Sequence, residues 1–253
     1  MSSLSFSPRV PVIDANVCVG NPHTGPAAFQ NPAELFDEMA FHGVDRAVVY
    51  HVQTEEISPV DGNVFLEDWI DTEGRLIPQW SVMPTDDSMA QIQTLYREGR
   101  VRTLRLYNSK TAGLPFRPWA YDVLLDWLSD TGVPLWIPLP DNDPHELITT
   151  LQAFPNVKTV LVGAHYVHAL VVRPLLRSLP NASLELSRYE PIGEIEALRN
   201  RFGAERLIYG SWYPRYAMGP MLYYLHQTSL SDEELTAVCS GNVRRLLGLT
   251  NAP

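Results

Sequence analysis

Apolar residues recur along this chain in eight runs of strand length, at 10–19, 46–52, 76–82, 103–107, 134–139, 157–163, 182–187 and 206–211. Each run is continuous rather than strictly alternating, the pattern of a strand covered on both faces. Segments with helical spacing separate them, at 61–73, 86–99, 118–132, 144–154, 169–179 and 190–203. Strand and helix in alternation predict βαβ units around a parallel sheet. The helix punctuation agrees with this count. Asn31-Pro32-Ala33-Glu34 offers an N-cap, a proline at the first helical position and an acidic first turn, and Gly43 supplies a C-terminal stop. Ser231-Asp232-Glu233-Glu234 has capping-box spacing at the head of a closing helix, and 217–227 predicts one more helix before it. Eight units in 253 residues predict an α/β fold, a single (β/α)8 TIM barrel with an extra C-terminal helix, spanning 1–253 as one domain.

Composition narrows the partners. Hydrophobic residues make up 45% and charged residues 19%, the balance of a globular chain. A net charge of −10 and a pI near 5.1, with no cluster of Lys or Arg, argue against a nucleic-acid partner. Basic charge is almost all arginine, Lys110 and Lys158 being the only lysines. Cys18 and Cys239 lie far apart and form no disulfide framework, so a reducing compartment is expected. Residues 1–11 lack the cationic and apolar regions of a signal peptide. The longest apolar stretch, 159–172, is interrupted by His165 and His168 and is too short to cross a bilayer. The expectation is a cytoplasmic protein with a small-molecule substrate and no membrane partner, with a homodimer as the default assembly of such barrels.

Glu205-Arg206-Leu207-Ile208-Tyr209-Gly210-Ser211-Trp212-Tyr213-Pro214, together with Gly241-Asn242-Val243-Arg244-Arg245-Leu246-Leu247, resembles the last strand and closing helix of the amidohydrolase-related (amidohydrolase family 2) TIM barrels. The likeness spans nearly the whole chain. In that family the position of Trp212 is an Asp that binds metal or moves protons, whereas an indole donates one N–H and accepts nothing. The strand from Val12 to Gly20 places Asn16 and Cys18 where the family carries two metal-binding histidines. Pro138 stands where many members have a histidine, and Gly163 stands at another such position, with His165 two residues on. A register shifted by two makes His165 that family histidine. A mononuclear site needs three or four converging ligands, and Cys18 with His165 supplies two at most. The resemblance therefore implies a metal-enzyme scaffold without its metal chemistry, and no cofactor is expected.

Active sites of TIM barrels form at the C-terminal strand ends, so polar residues there are the candidates. His165, ending strand six, and His51, ending strand two, are candidate general bases, with a histidine bonded into loop or core as the alternative. Arg105 and Tyr107 share a face of strand four by the two-residue period. Arg105 either holds a substrate carboxylate or pairs with Glu185. Asn16 is a candidate oxyanion donor or a buried strut, and Cys18 is a nucleophile if an imidazole adjoins it or else a small buried hydrophobe. His23 in the loop after strand one, and Arg188 and Arg215 beyond strands seven and eight, are candidate substrate contacts or else solvated surface side chains. Trp80, Trp136, Trp212 and Tyr213 would form an aromatic wall, Trp212 alternatively filling the volume a metal centre leaves. Two functions follow. One is a metal-independent enzyme doing acid–base chemistry on a small carboxylated or aromatic molecule, as a lyase, cyclase or isomerase or in lactone or ester hydrolysis, and the resemblance allows decarboxylation or lactone opening. The other is a catalytically inactive barrel that binds a ligand or a partner protein.

Overall fold

The computed structural model describes residues 6–107 and 109–249. Its strands are β1 (Ile13–Val19), β2 (Arg46–His51), β3 (Leu76–Pro78), β4 (Trp80–Val82), β5 (Leu104–Leu106), β6 (Leu135–Pro138), β7 (Thr159–Val162), β8 (Ala182–Glu185) and β9 (Leu207–Ile208). All pair in parallel, in the orders β1-β2-β3 and β4-β5-β6-β7-β8-β9. β3 and β4 are one barrel position interrupted at Gln79, whose N–H still donates to Val49 O at 2.8 Å. The ring closes where Ala15 N–H meets Tyr209 O at 3.2 Å and Cys18 N–H meets Tyr213 O at 2.7 Å. Eight strand positions thus form a (β/α)8 TIM barrel.

Two apolar layers result from the two-residue period of strands. Ile13, Val48, Ile77, Trp136, Val160 and Ile208 form one cluster, closed off by Val243 and Leu247 of the last helix. The larger cluster joins the other strand face to the surrounding helices. The helix starting at Pro32 begins as expected, Asn31 accepting from Glu34 N–H, and ends at left-handed Gly43. Ser231 and Glu234 form the expected reciprocal cap, at 3.2 and 2.9 Å. The closing helix is not continuous, however, because a π-turn at Ala237–Gly241 splits it into Asp232–Thr236 and Asn242–Leu247.

Three expectations about strand ends need correction. β7 stops at Val162, and Gly163, at φ 71°, turns the chain, so His165 lies in the following loop and not on the strand. Trp80 belongs to the outer layer, fully buried, with its indole N–H on Arg100 O at 3.1 Å. With Ile77 inside, alternation puts Gln79 inward and Trp80 outward. Trp136 does face inward, but it sits in the closed inner cluster with no exposure. Neither tryptophan reaches the mouth.

Candidate functional site

Six residues from six barrel positions contact one another in a closed circuit at the C-terminal ends of the strands. Trp212 follows β9 at φ 57°, a left-handed conformation uncommon outside glycine. Its ring lies against Gly163, so close that a Cβ there would stand 2.6 Å from Trp212 Cζ3. The indole N–H donates to the Tyr50 hydroxyl at 2.9 Å. The Tyr50 ring in turn carries the Arg105 guanidinium on its face, 3.9 Å from the centroid. Arg105 Nη1 donates to Asn16 Oδ1 at 3.3 Å, and Asn16 Nδ2 donates to Glu185 Oε2 at 3.2 Å. Glu185 completes the circuit by accepting from Gly163 N–H at 3.2 Å.

Glu185 is a buried hub rather than a substrate contact. It is fully buried and also accepts from Ser187 N–H and Ser187 Oγ, and Gly210 leaves it room, since a Cβ there would meet its Oε1 at 2.3 Å. Burial pushes its carboxyl up, against the hydrogen bonds from Gly163, Ser187 and Asn16. Asn16 is the strut between Arg105 and Glu185, so the two charges are bridged and not directly paired. Beside them the Asp14 carboxyl is raised to about 7, by burial first, against hydrogen bonds from Ser211 and Asn16.

Over this circuit opens a cavity of about 360 Å³, lined by Arg105, Arg188, Arg215, Glu55, Asp141, His165, His168, Trp212 and Tyr216, with Pro138, Pro140 and Gly163. Arg105 is only 2% exposed, and among the described residues its Nη2 has no hydrogen-bond partner, Glu55 Oε1 standing off at 3.7 Å. Arg188 lies flat on Tyr216 at 4.0 Å and Arg215 on Trp212 at 4.7 Å. These rings are platforms that orient guanidinium groups, not bare walls for a stacked ligand. Arg188 Nη2 lies 2.8 Å from His165 Nε2. Arginine only donates, so Nε2 is the acceptor and the His165 ring proton sits on Nδ1. Burial, then Glu55, raises the Asp141 carboxyl, against nearby Arg105, Lys110 and Arg215. Burial lowers His168, whose Nδ1 accepts from His165 N–H at 2.9 Å.

The remaining sequence candidates lie elsewhere. His51 and His23 line a different cavity, and burial lowers the His51 imidazole to about 4. Tyr213 turns away to stack on Phe29 at 5.6 Å. Tyr107 is half-buried past the end of β5 and does not line the cavity. Cys18 has the Tyr50 hydroxyl and Glu55 as neighbours rather than an imidazole, and burial followed by the Glu55 charge pushes its thiol up, the opposite of an activated nucleophile. Sequence reasoning missed Tyr50, Glu55 and Asp141. Alternation from Val48 on β2 points Tyr50 inward, which was the available signal. The two acids carry no such mark, being ordinary loop carboxylates in sequence.

A divalent cation does not fit the residues at the positions compared above. Among the described residues no three His, Cys, Asp or Glu side chains converge as ligands. Trp212 offers only a donor, and the Asn16 carbonyl is already taken by a guanidinium. No curated protein matches the chain. Solved structures do share its fold. An uncharacterized TIM-barrel protein from Bordetella bronchiseptica is 18% identical with a TM-score of 0.72, covering 94% of this chain and 99% of its own. The 5-carboxyvanillate decarboxylase from Sphingomonas paucimobilis is 16% identical with a TM-score of 0.69, covering 95% and 100%. The 2,6-dihydroxybenzoate decarboxylase from Rhizobium is 11% identical with a TM-score of 0.71, covering 95% and 99%. The amidohydrolase family model matches residues 22–249, the barrel from the loop after β1 onward, and the chain belongs to the amidohydrolase 2 family.

Proposed function

We propose that this protein is a metal-independent enzyme that binds a small carboxylated molecule and moves a proton on it, as a lyase or in opening an ester or lactone. The observation behind this reading is Arg105: a guanidinium 2% exposed, with one nitrogen lacking a hydrogen-bond partner among the described residues, on the wall of a cavity that two further arginines also line. A buried cation with an unused donor is costly unless a ligand completes it, and a carboxylate accepts from two donors at once. Arg188 and Arg215, held on Tyr216 and Trp212, add positive charge at the same wall. Asp141 is the proton carrier, because it lines the same cavity and burial, then Glu55, raise its carboxyl above the ordinary carboxylate value. His165 donates through Nδ1 to a developing negative charge while Arg188 holds its other nitrogen. Two of the structures sharing this fold are decarboxylases of carboxylated phenols by name, which favours a carboxylated aromatic substrate.

The test is turnover of a panel of hydroxybenzoates and aromatic lactones by chelator-treated protein, followed by ultraviolet absorbance. Asp141→Asn is expected to lower kcat with KM little changed, the mark of a group acting in the transition state. Arg105→Met is expected to weaken substrate binding by roughly 10- to 150-fold, the worth of one charge-assisted hydrogen bond. Turnover that appears only on adding a divalent metal, or that survives both substitutions, contradicts the proposal.

A further inference from the structure

The short helix Gln53–Glu56 borders two cavities, Glu55 lining the arginine cavity and Gln53 a second one of about 520 Å³. We infer that this second cavity is a binding site of its own, for a neutral ring bearing a carboxamide. It lies between the loop after β1 and the segment after β2, and its wall includes His51, Gln53, Ile57, Phe65, Asp68 and Trp69.

Two nearly buried polar side chains give the site its chemistry. His51 is 6% exposed and Gln53 is 8% exposed. His51 Nδ1 accepts from Gln53 N–H at 3.2 Å, so the ring proton sits on Nε2, which has no partner among the described residues. Gln53 Nε2 donates to Asn21 O at 2.6 Å, while Gln53 Oε1 is buried without a partner among the described residues. One unused donor and one unused acceptor are thereby held two residues apart. A carboxamide presents the complementary pair, its carbonyl for His51 and its N–H for Gln53. A buried polar atom without a partner calls for one, and Gln53 Oε1 is such an atom, on a residue that lines this cavity beside His51.

The surroundings select against an anion. Neither Lys nor Arg lines this cavity, and Asp68 does. Burial lowers the His51 imidazole to about 4, which keeps it an uncharged donor at neutral pH. The Phe65 ring stacks on the imidazole at 5.6 Å, inclined by 28°, and with Ile57 it leaves an exposed apolar rim beside the polar pair. Gly20, at φ 91°, passes over the imidazole where any Cβ would fall 2.0 Å from Nε2. The same chemistry would reject the carboxylates that the arginine cavity accepts. The two sites therefore discriminate a benzamide from a benzoate of equal shape.

The test uses benzamide as the probe with ¹⁵N-labelled tryptophan indoles as reporters, since Trp69 lines this cavity and Trp212 the other. Trp69→Phe assigns the reporter peak. Benzamide is expected to shift the Trp69 indole saturably while leaving Trp212 in place, with benzoate at least tenfold weaker at the Trp69 peak. Gln53→Leu, nearly isosteric, is expected to weaken benzamide at least tenfold, and Phe65→Ala, at a 43% exposed position that the fold tolerates, to weaken it several-fold. No shift at Trp69, a shift at Trp212 instead, equal binding of benzoate there, or unchanged affinity in both variants overturns the assignment. These outcomes do not depend on whether the arginine cavity is catalytic.

Discussion

Gly163→Ala is the sharpest perturbation of the circuit that shapes the site, and its cost can be worked in two parts. Gly163 stands at φ 71°, where alanine is disfavoured by roughly 1–2 kcal/mol. A Cβ would also lie 2.6 Å from Trp212 Cζ3 and 2.8 Å from Cη2. The indole cannot slide away freely, because its N–H is held by Tyr50 and its face by Arg215. Overpacking against a fixed ring costs about 1–3 kcal/mol more, for a total of roughly 2–5 kcal/mol. Gly99→Ala isolates the first part, since Gly99 has nearly the same φ, 73°, and nothing within 4 Å of its Cβ position. Urea unfolding of both variants, at unchanged m-value, measures the difference. Combining Gly163→Ala with Trp212→Leu removes the clash but not the dihedral penalty, so the pair should be non-additive by about 1–3 kcal/mol. Equal losses for Gly163→Ala and Gly99→Ala, or additivity of the double variant, would refute the packing of Trp212 on Gly163.

Three other outcomes are expected. Folded Asp14 holds a proton up to about 7 that the unfolded chain releases near 3.8, so the contribution of Asp14 to stability falls as pH rises through that window, by at most about 4 kcal/mol. Asp14→Asn should gain stability relative to wild type from pH 5 to pH 9 in parallel urea titrations, because His51 weakens both proteins alike below pH 6.5 and cancels; a constant difference would contradict this. Asn16→Ala unpairs Arg105 from its amide acceptor and takes one donor from Glu185, and should cost about 2–4 kcal/mol in the same assay. Cys18, its thiol pushed up by burial and Glu55, and Cys239, buried and raised to about 12, should react with iodoacetamide at pH 8 at least tenfold more slowly than glutathione, and rapid labelling of Cys18 would restore the nucleophile.

Much of the barrel was legible because burial on both faces leaves unbroken apolar runs, and every one of the eight runs contains a strand. Phase was harder. Nothing in Leu76–Val82 marks Gln79 as the break between β3 and β4, so the direction of Trp80 could not be read off. The placement of His165 depended on β7 ending at a left-handed glycine, a backbone fact that the surrounding apolar residues conceal. Arg105 was visible as an out-of-place charge in a strand, whereas its platform Tyr50 looks like any aromatic in one. Glu55 and Asp141 reach the cavity from single helical turns just after β2 and β6, short segments whose position depends on the whole fold. Trp212 was visible in the sequence as an indole where the resemblance expects an Asp, whereas its left-handed backbone, which lays the ring on Gly163, was not.

The most direct measurement is a crystal structure with an aromatic carboxylate such as benzoate soaked in, with anomalous scattering collected to detect transition metals. The carboxylate is expected within about 3 Å of Arg105 Nη2, in the cavity between Arg188 and Arg215, with no cation on Asn16 or Cys18. A metal ion coordinated by protein atoms in that cavity, or a carboxylate that leaves Arg105 without a partner, would contradict it.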